Sequence, residues 1–90
     1  MGAANTTKVL SAEQLDKKSF VESELTEMLA AATHGFVISL EYDARGHFEV
    51  VHVTTCLGLF KRDTFGVDVT ADSLWAIAKD VMRAVAERFE

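Results

Sequence analysis

The chain has 90 residues, a formal net charge of −5 and 49% apolar residues. That length makes a single domain, and the acidic balance excludes the clustered Lys and Arg that nucleic acid or an anionic membrane surface requires. One cysteine, Cys56, excludes an internal disulfide framework and fits a reducing compartment, so a cytoplasmic location is expected.

Residues 1–9 are small and polar and are expected to form a flexible N-terminus, with residues 10–90 a single α+β domain. Met1-Gly2-Ala3-Ala4-Asn5-Thr6 matches the pattern for N-myristoylation of Gly2. Lys8 is the one nearby cation that could supply a second membrane signal. Without that modification no membrane partner is expected, because no apolar run approaches the roughly 20 residues of a span and no secretory leader is present.

The first helix is announced by Ser11 and Gln14, which have the spacing of a capping box, and by Leu10 and Leu15 at the positions of a hydrophobic staple. Ser19 and Glu22 form a second such box, which allows a break near Lys17-Lys18. From Phe20 onward Val21, Leu25, Met28, Leu29 and Ala32 make the apolar face, with Glu22, Glu24 and Glu27 largely opposite. Gly35 is placed to end the helix as its left-handed residue.

A hairpin follows. Asp43-Ala44-Arg45-Gly46 suits a type I turn with Gly46 in a left-handed bulge, which pairs Asp43 with His47. In that register Phe36, Ile38, Leu40 and Tyr42 share the core face with Phe48, Val50, His52 and Thr54. Val37, Ser39 and Glu41 lie on the other face with Glu49, Val51 and Val53. A slip of one residue would exchange the faces of the second strand. Phe65, Val67 and Val69 mark a third strand. Thr70 is placed to cap a last helix running to about Arg88, with Leu74, Trp75, Ile77, Val81, Met82, Val85 and Phe89 on its apolar side.

No constellation in this chain carries catalysis, a metal or a cofactor. His52 and Cys56 lie four apart, which on a strand separates them by roughly 13 Å, too far to share an ion or to act as nucleophile and base. Glu41 and Glu49 read as solvated charge that discourages wrong edge pairing. Lys61 and Arg62, between Phe60 and Phe65, read as a polar turn rather than as a basic–aromatic patch for nucleic acid.

In its order, helix–strand–strand–strand–helix, the chain resembles the double-stranded-RNA-binding domain over most of its length. Domains of that family bind phosphates with lysines at the start of the last helix. Here Thr70-Ala71-Asp72-Ser73 stands at that place, and the one Lys of the helix, Lys79, comes two turns in, followed by Arg83. RNA binding is therefore not carried over, and nucleic acid is not an expected partner.

The expected architecture is α-β-β-β-α, with a three-stranded antiparallel sheet and both helices on one face. Leu25, Met28, Leu29, Phe36, Ile38, Leu40, Val50, Leu74, Ile77, Val81 and Val85 should form the core, and Trp75, Phe48, Phe20 and Phe89 should close its ends. The expected function is a non-enzymatic protein-interaction module, whether adaptor, small subunit or inhibitor of a larger protein. Glu22, Glu24 and Glu27 are the candidate partner-binding residues, and Val37, Val51 and Val53 the candidate self-association patch of a homodimer. The alternative is a small-ligand or nucleic-acid binder with a helix–sheet groove near His52 and Tyr42.

Overall fold

Lys17, Val21, Leu25, Leu29 and Thr33, all buried, recur every four residues along the first helix. On a helix of 3.6 residues per turn each such step drifts by about 40°. The chain absorbs the drift by widening: α1 (Ala12–Ser19) passes into a π-helical stretch (Phe20–Leu25) and then into α2 (Thr26–Ala32). The Thr26 N–H and hydroxyl both donate to Val21 O, five residues back. A wider turn here keeps all five positions against the sheet. The expected break near Lys17-Lys18 is thus a change of pitch in one continuous helix, and Ser19 makes no side-chain cap.

A computed structural model describes residues 10–59 and 61–89. The expected flexible N-terminus and the Gly2 motif lie outside the described residues. Both arms of the first capping box form, with Gln14 N–H donating to Ser11 Oγ at 3.0 Å and Ser11 N–H donating to Gln14 Oε1 at 3.1 Å. The helix ends in a Schellman motif, in which Gly35 N–H donates to Ala30 O and His34 N–H to Ala31 O. The left-handed C′ residue is His34, with φ 52°, and Gly35 is the residue after it.

Strands β1 (Val37–Arg45), β2 (Phe48–Cys56) and β3 (Arg62–Asp68) form an antiparallel sheet in that order. The hairpin register differs from the sequence expectation. Arg45 pairs with Phe48, leaving Gly46-His47 as a two-residue loop. Gly46, with φ 62°, takes the first central position, as a type II′ turn requires. The faces of β2 are exchanged accordingly: Glu49, Val51, Val53 and Thr55 point inward, while Phe48 is 69% exposed and Val50, His52 and Thr54 lie on the open face. A bulge between Val37 and Ser39 lets Val37 share the core face with Leu40, Tyr42 and Ala44, and leaves Ile38 outside. Burial of Val37, Val51 and Val53 contributes about 1.5–3 kcal/mol for each side chain.

Helix α3 (Leu74–Phe89) is capped by Ser73, whose Oγ accepts from Ala76 N–H, rather than by Thr70. Thr70 instead closes a turn on Asp68, through its N–H and its hydroxyl to Oδ1. Both helical segments rest on one sheet face, as expected, and the core joins Val21, Leu25 and Leu29 to Ile77, Ala78, Val81 and Val85 across Leu40, Val51 and Val53. The expected aromatic closure does not form. Trp75 is 72% exposed and Phe89 is 53% exposed, Met28 also faces out, and Phe20 alone of the four aromatics packs against the core. Among the described residues no helix is long and apolar enough to cross a membrane.

Candidate functional site

The three glutamates of the first helix have separate roles. Glu24 and Glu27 are exposed. Glu22 is half-buried: its Oε2 accepts from Lys18 Nζ at 3.0 Å and from the backbone N–H of Tyr42 at 2.9 Å. Strand β1 is an edge of the sheet, so Glu22 occupies a donor that would otherwise template another strand. It clamps the edge and is not part of a free acidic docking face.

Val37, Val51 and Val53 are each 0% exposed and belong to the core, which corrects their expected place in an outer self-association patch. The two-residue turn is the reason for Val51 and Val53, since it turns β2 over, and the bulge between Val37 and Ser39 is the reason for Val37. His52 and Tyr42 lie on opposite faces of the sheet, so they do not line one groove together. Tyr42 is buried beneath the helices, whereas His52 sits on the open face with Nε2 4.0 Å from Asp43 Oδ2. Cys56 is partly exposed, and its thiol donates to Gly58 O. Among the described residues no group of three or more His, Cys, Asp or Glu side chains is placed to hold a metal ion.

What the sequence reading missed is a buried polar cluster at the hairpin end of the sheet. Lys17 Nζ donates to Glu49 Oε2 at 2.9 Å and Oε1 at 3.3 Å, Tyr42 Oη donates to Oε2 at 2.5 Å, and Ala71 N–H donates to Oε1 at 2.7 Å. Desolvation pushes the Glu49 carboxyl up, but the hydrogen bonds from Tyr42, Lys17 and Ala71 outweigh it and hold the group below the usual carboxylate range. Burial, and then the same carboxylate, push the Tyr42 phenol well above its ordinary value. Ala71 is held in the left-handed region, φ 64°, in the turn that aims its N–H at Glu49. A cleft of about 400 Å³ opens over this cluster, yet its acid and its cation already satisfy each other.

The signal for this cluster was in the phase. Lys17 lies one four-residue step before Val21, and Glu49 is in register with Val51 and Val53. A buried charge on each element demands a partner on the other. Next to it, Asp72 faces the Asp80 carboxyl, and Asp72 Oδ2 is buried with no hydrogen-bond partner as a carboxylate. A proton shared with Asp80, together with burial and the Asp80 charge, pushes Asp72 up to about 6 against a smaller opposing effect of Lys17.

The other end of the sheet holds an open, largely apolar concavity. A cleft of about 410 Å³ lies between the start of β1, the β2–β3 connection and the last turn of α3. Its floor is a stacked aromatic pair, Phe36 and Phe89, with ring centroids 4.4 Å apart. Leu57 and Thr55 add a wall, and Lys61, Arg62 and Arg88 stand at the rim with Asp63. Arg88 is committed, with Nη1 3.0 Å from Asp63 Oδ2 and its guanidinium 4.1 Å from the Phe65 ring centroid. Lys61 and Arg62 have no acidic partner among the described residues. Among the described residues, three rim cations against one acid concentrate positive charge here in a chain of net charge −5.

This arrangement can hold an apolar body against an aromatic floor and a negative charge at the rim. No family model, curated protein or solved structure matches the chain.

Proposed function

We propose that the protein is a non-enzymatic, cytoplasmic protein-interaction module that pairs with a second copy of itself through the outer flank of α3. The observation that carries this reading is the exposed series Trp75, Met82 and Phe89. Seven-residue spacing places the three side chains along one seam of a helix. The seam lies beside the stripe of Ile77, Ala78, Val81 and Val85 that the core already covers, so the apolar arc of α3 is wider than its own sheet requires.

The spacing is also self-complementary. A two-fold axis through Met82 brings Trp75 of one copy opposite Phe89 of the other and Met82 against itself, as an isologous contact demands. Such aromatic pairs contribute about 0.5–1.5 kcal/mol each beyond their buried area. The lone, partly exposed thiol of Cys56 suits a reducing compartment.

Light-scattering chromatography across a dilution series tests this reading. The chain should run as a dimer that dissociates on dilution. Met82→Glu, which sets two carboxylates against each other on the axis, should raise the dissociation constant by at least about tenfold. Trp75→Ser removes a side chain with little packing in the protomer and should act in the same direction. A monomer at every concentration, or a dimer indifferent to both substitutions, would overturn the proposal.

A further inference from the structure

We propose that the cleft over Phe36 and Phe89 binds a small amphipathic monocarboxylate, a single aromatic ring or short alkyl chain ending in one carboxylate. Three features argue for that class. The floor is two stacked rings flanked by Leu57, whose side chain is 63% exposed and gains burial only if something enters. The rim offers Lys61 and Arg62, both exposed and without an acidic partner among the described residues. Arg88 is held back by Asp63 and the Phe65 face, so it shapes the wall without competing for the ligand's charge.

The same geometry limits the charge and size of the ligand. Helix α3 presents its C-terminal end to the cleft, and that end carries the negative pole of the helix dipole, which opposes any anion and a dianion such as phosphate more strongly than a monocarboxylate. A planar carboxylate matches the guanidinium of Arg62 through two parallel hydrogen bonds. The volume of about 410 Å³ falls in the range of small-molecule sites and accommodates one ring with a short tether. A bare acetate would satisfy the rim and leave the aromatic floor wet. A neutral isostere would cover the floor and leave the cations with water.

The test is a titration of the isotope-labelled full chain with 3-phenylpropanoate, and in parallel with 3-phenylpropanamide, acetate and inorganic phosphate, followed by backbone amide shifts. Saturable shifts should cluster at Leu57, Arg62 and Phe89, with the acid binding at least about tenfold more tightly than the amide. Acetate and phosphate should leave those amides unmoved at equal concentration. The double substitution K61A/R62A should abolish the preference for acid over amide while leaving the thermal midpoint nearly unchanged, because both side chains are exposed and neither has an acidic partner among the described residues. Leu57→Asp, also at an exposed position, removes apolar wall and adds a negative charge, so it should weaken both ligands and the acid more than the amide. Equal affinity for acid and amide would overturn the proposal. So would shifts centred elsewhere, phosphate binding as tightly as the acid, or no saturable shift up to about 10 mM. Phe89 belongs to both the dimer seam and the cleft floor, so the titration is repeated on Met82→Glu, whose substitution lies outside the cleft, and loss of the dimer is thereby distinguished from loss of the ligand.

Discussion

The two ends of the sheet are built from similar groups arranged to opposite effect. At the hairpin end a lysine, a glutamate and a tyrosine lie within hydrogen-bond distance and are almost fully buried. At the other end aromatic rings and cations surround a cleft, and two of the cations have no acidic partner among the described residues. The first end is satisfied internally and its groups serve the fold. The second leaves both its apolar surface and its charge incomplete, which is where a binding partner gains most. Being charged and near a cleft does not separate the two ends. Having the acid and the cation already paired with each other does.

Three further substitutions sharpen that contrast, and the largest effect belongs to the satisfied end. Glu49→Ala removes the acceptor for Lys17 Nζ, Tyr42 Oη and Ala71 N–H together. Leaving a buried charge unpaired should cost about 3–5 kcal/mol, read from urea unfolding. The paired replacement Lys17→Met with Glu49→Leu should recover most of that loss, because it removes both charges and keeps the volume. A Glu49→Ala protein of wild-type stability would show that the cluster is not the structural element described here.

Asp72→Asn should give a smaller, pH-dependent effect. Asp72 is raised in the folded state to about 6, from 3.8. The folded chain therefore binds this proton more tightly, and the stability it adds is fully present below pH 3.8 and is lost as pH rises through about 6. Asparagine should stabilise the protein at pH 7 by on the order of 1 kcal/mol, after allowance for solvent screening, and should leave stability at pH 4 nearly unchanged. Thermal melts at the two pH values separate the outcomes, and an equal gain at both would place the effect outside this carboxyl pair. Glu49 has the opposite sign: its lowered value contributes stability that is lost as pH falls through the folded value.

The smallest effect is expected near the open end, at the turn that leads from α2 into Phe36. His34 takes the left-handed C′ position. His34→Gly should stabilise the fold by about 0.5–1 kcal/mol by relieving a conformation that L side chains resist. The gain should appear without any change in the amide shifts of Leu57 or Arg62, since the side chain of His34 does not line the cleft.

Much of the fold was legible. The Ser11–Gln14 box forms as written, the hydrophobic period gives two helical segments and three strands in the expected order, and Phe65, Val67 and Val69 share the inward face of the last strand region. The four-residue recurrence of Lys17, Val21, Leu25 and Leu29 was also present, and it implies both a wider pitch and a buried lysine. A helical face at 3.6 residues per turn concealed it, because that template selects Met28 and Ala32 instead. The candidate cleft was not legible: Phe36, Leu57, Arg62 and Phe89 come from four places in the chain, and no local pattern joins them.

By itself, then, the sequence determined the order and type of the elements, because capping, turn chemistry and apolar period act within a few residues. It could not determine which face of β2 is inside. Phe48, Val50, His52 and Thr54 in one phase compete with Glu49, Val51, Val53 and Thr55 in the other, and each phase offers two large apolar side chains and two polar ones. Only the tertiary structure decided between them. Burying Glu49 is favourable solely because a lysine from the first helix and a tyrosine from the neighbouring strand meet it there, and a partner 32 residues away exerts no influence on the local pattern of a strand.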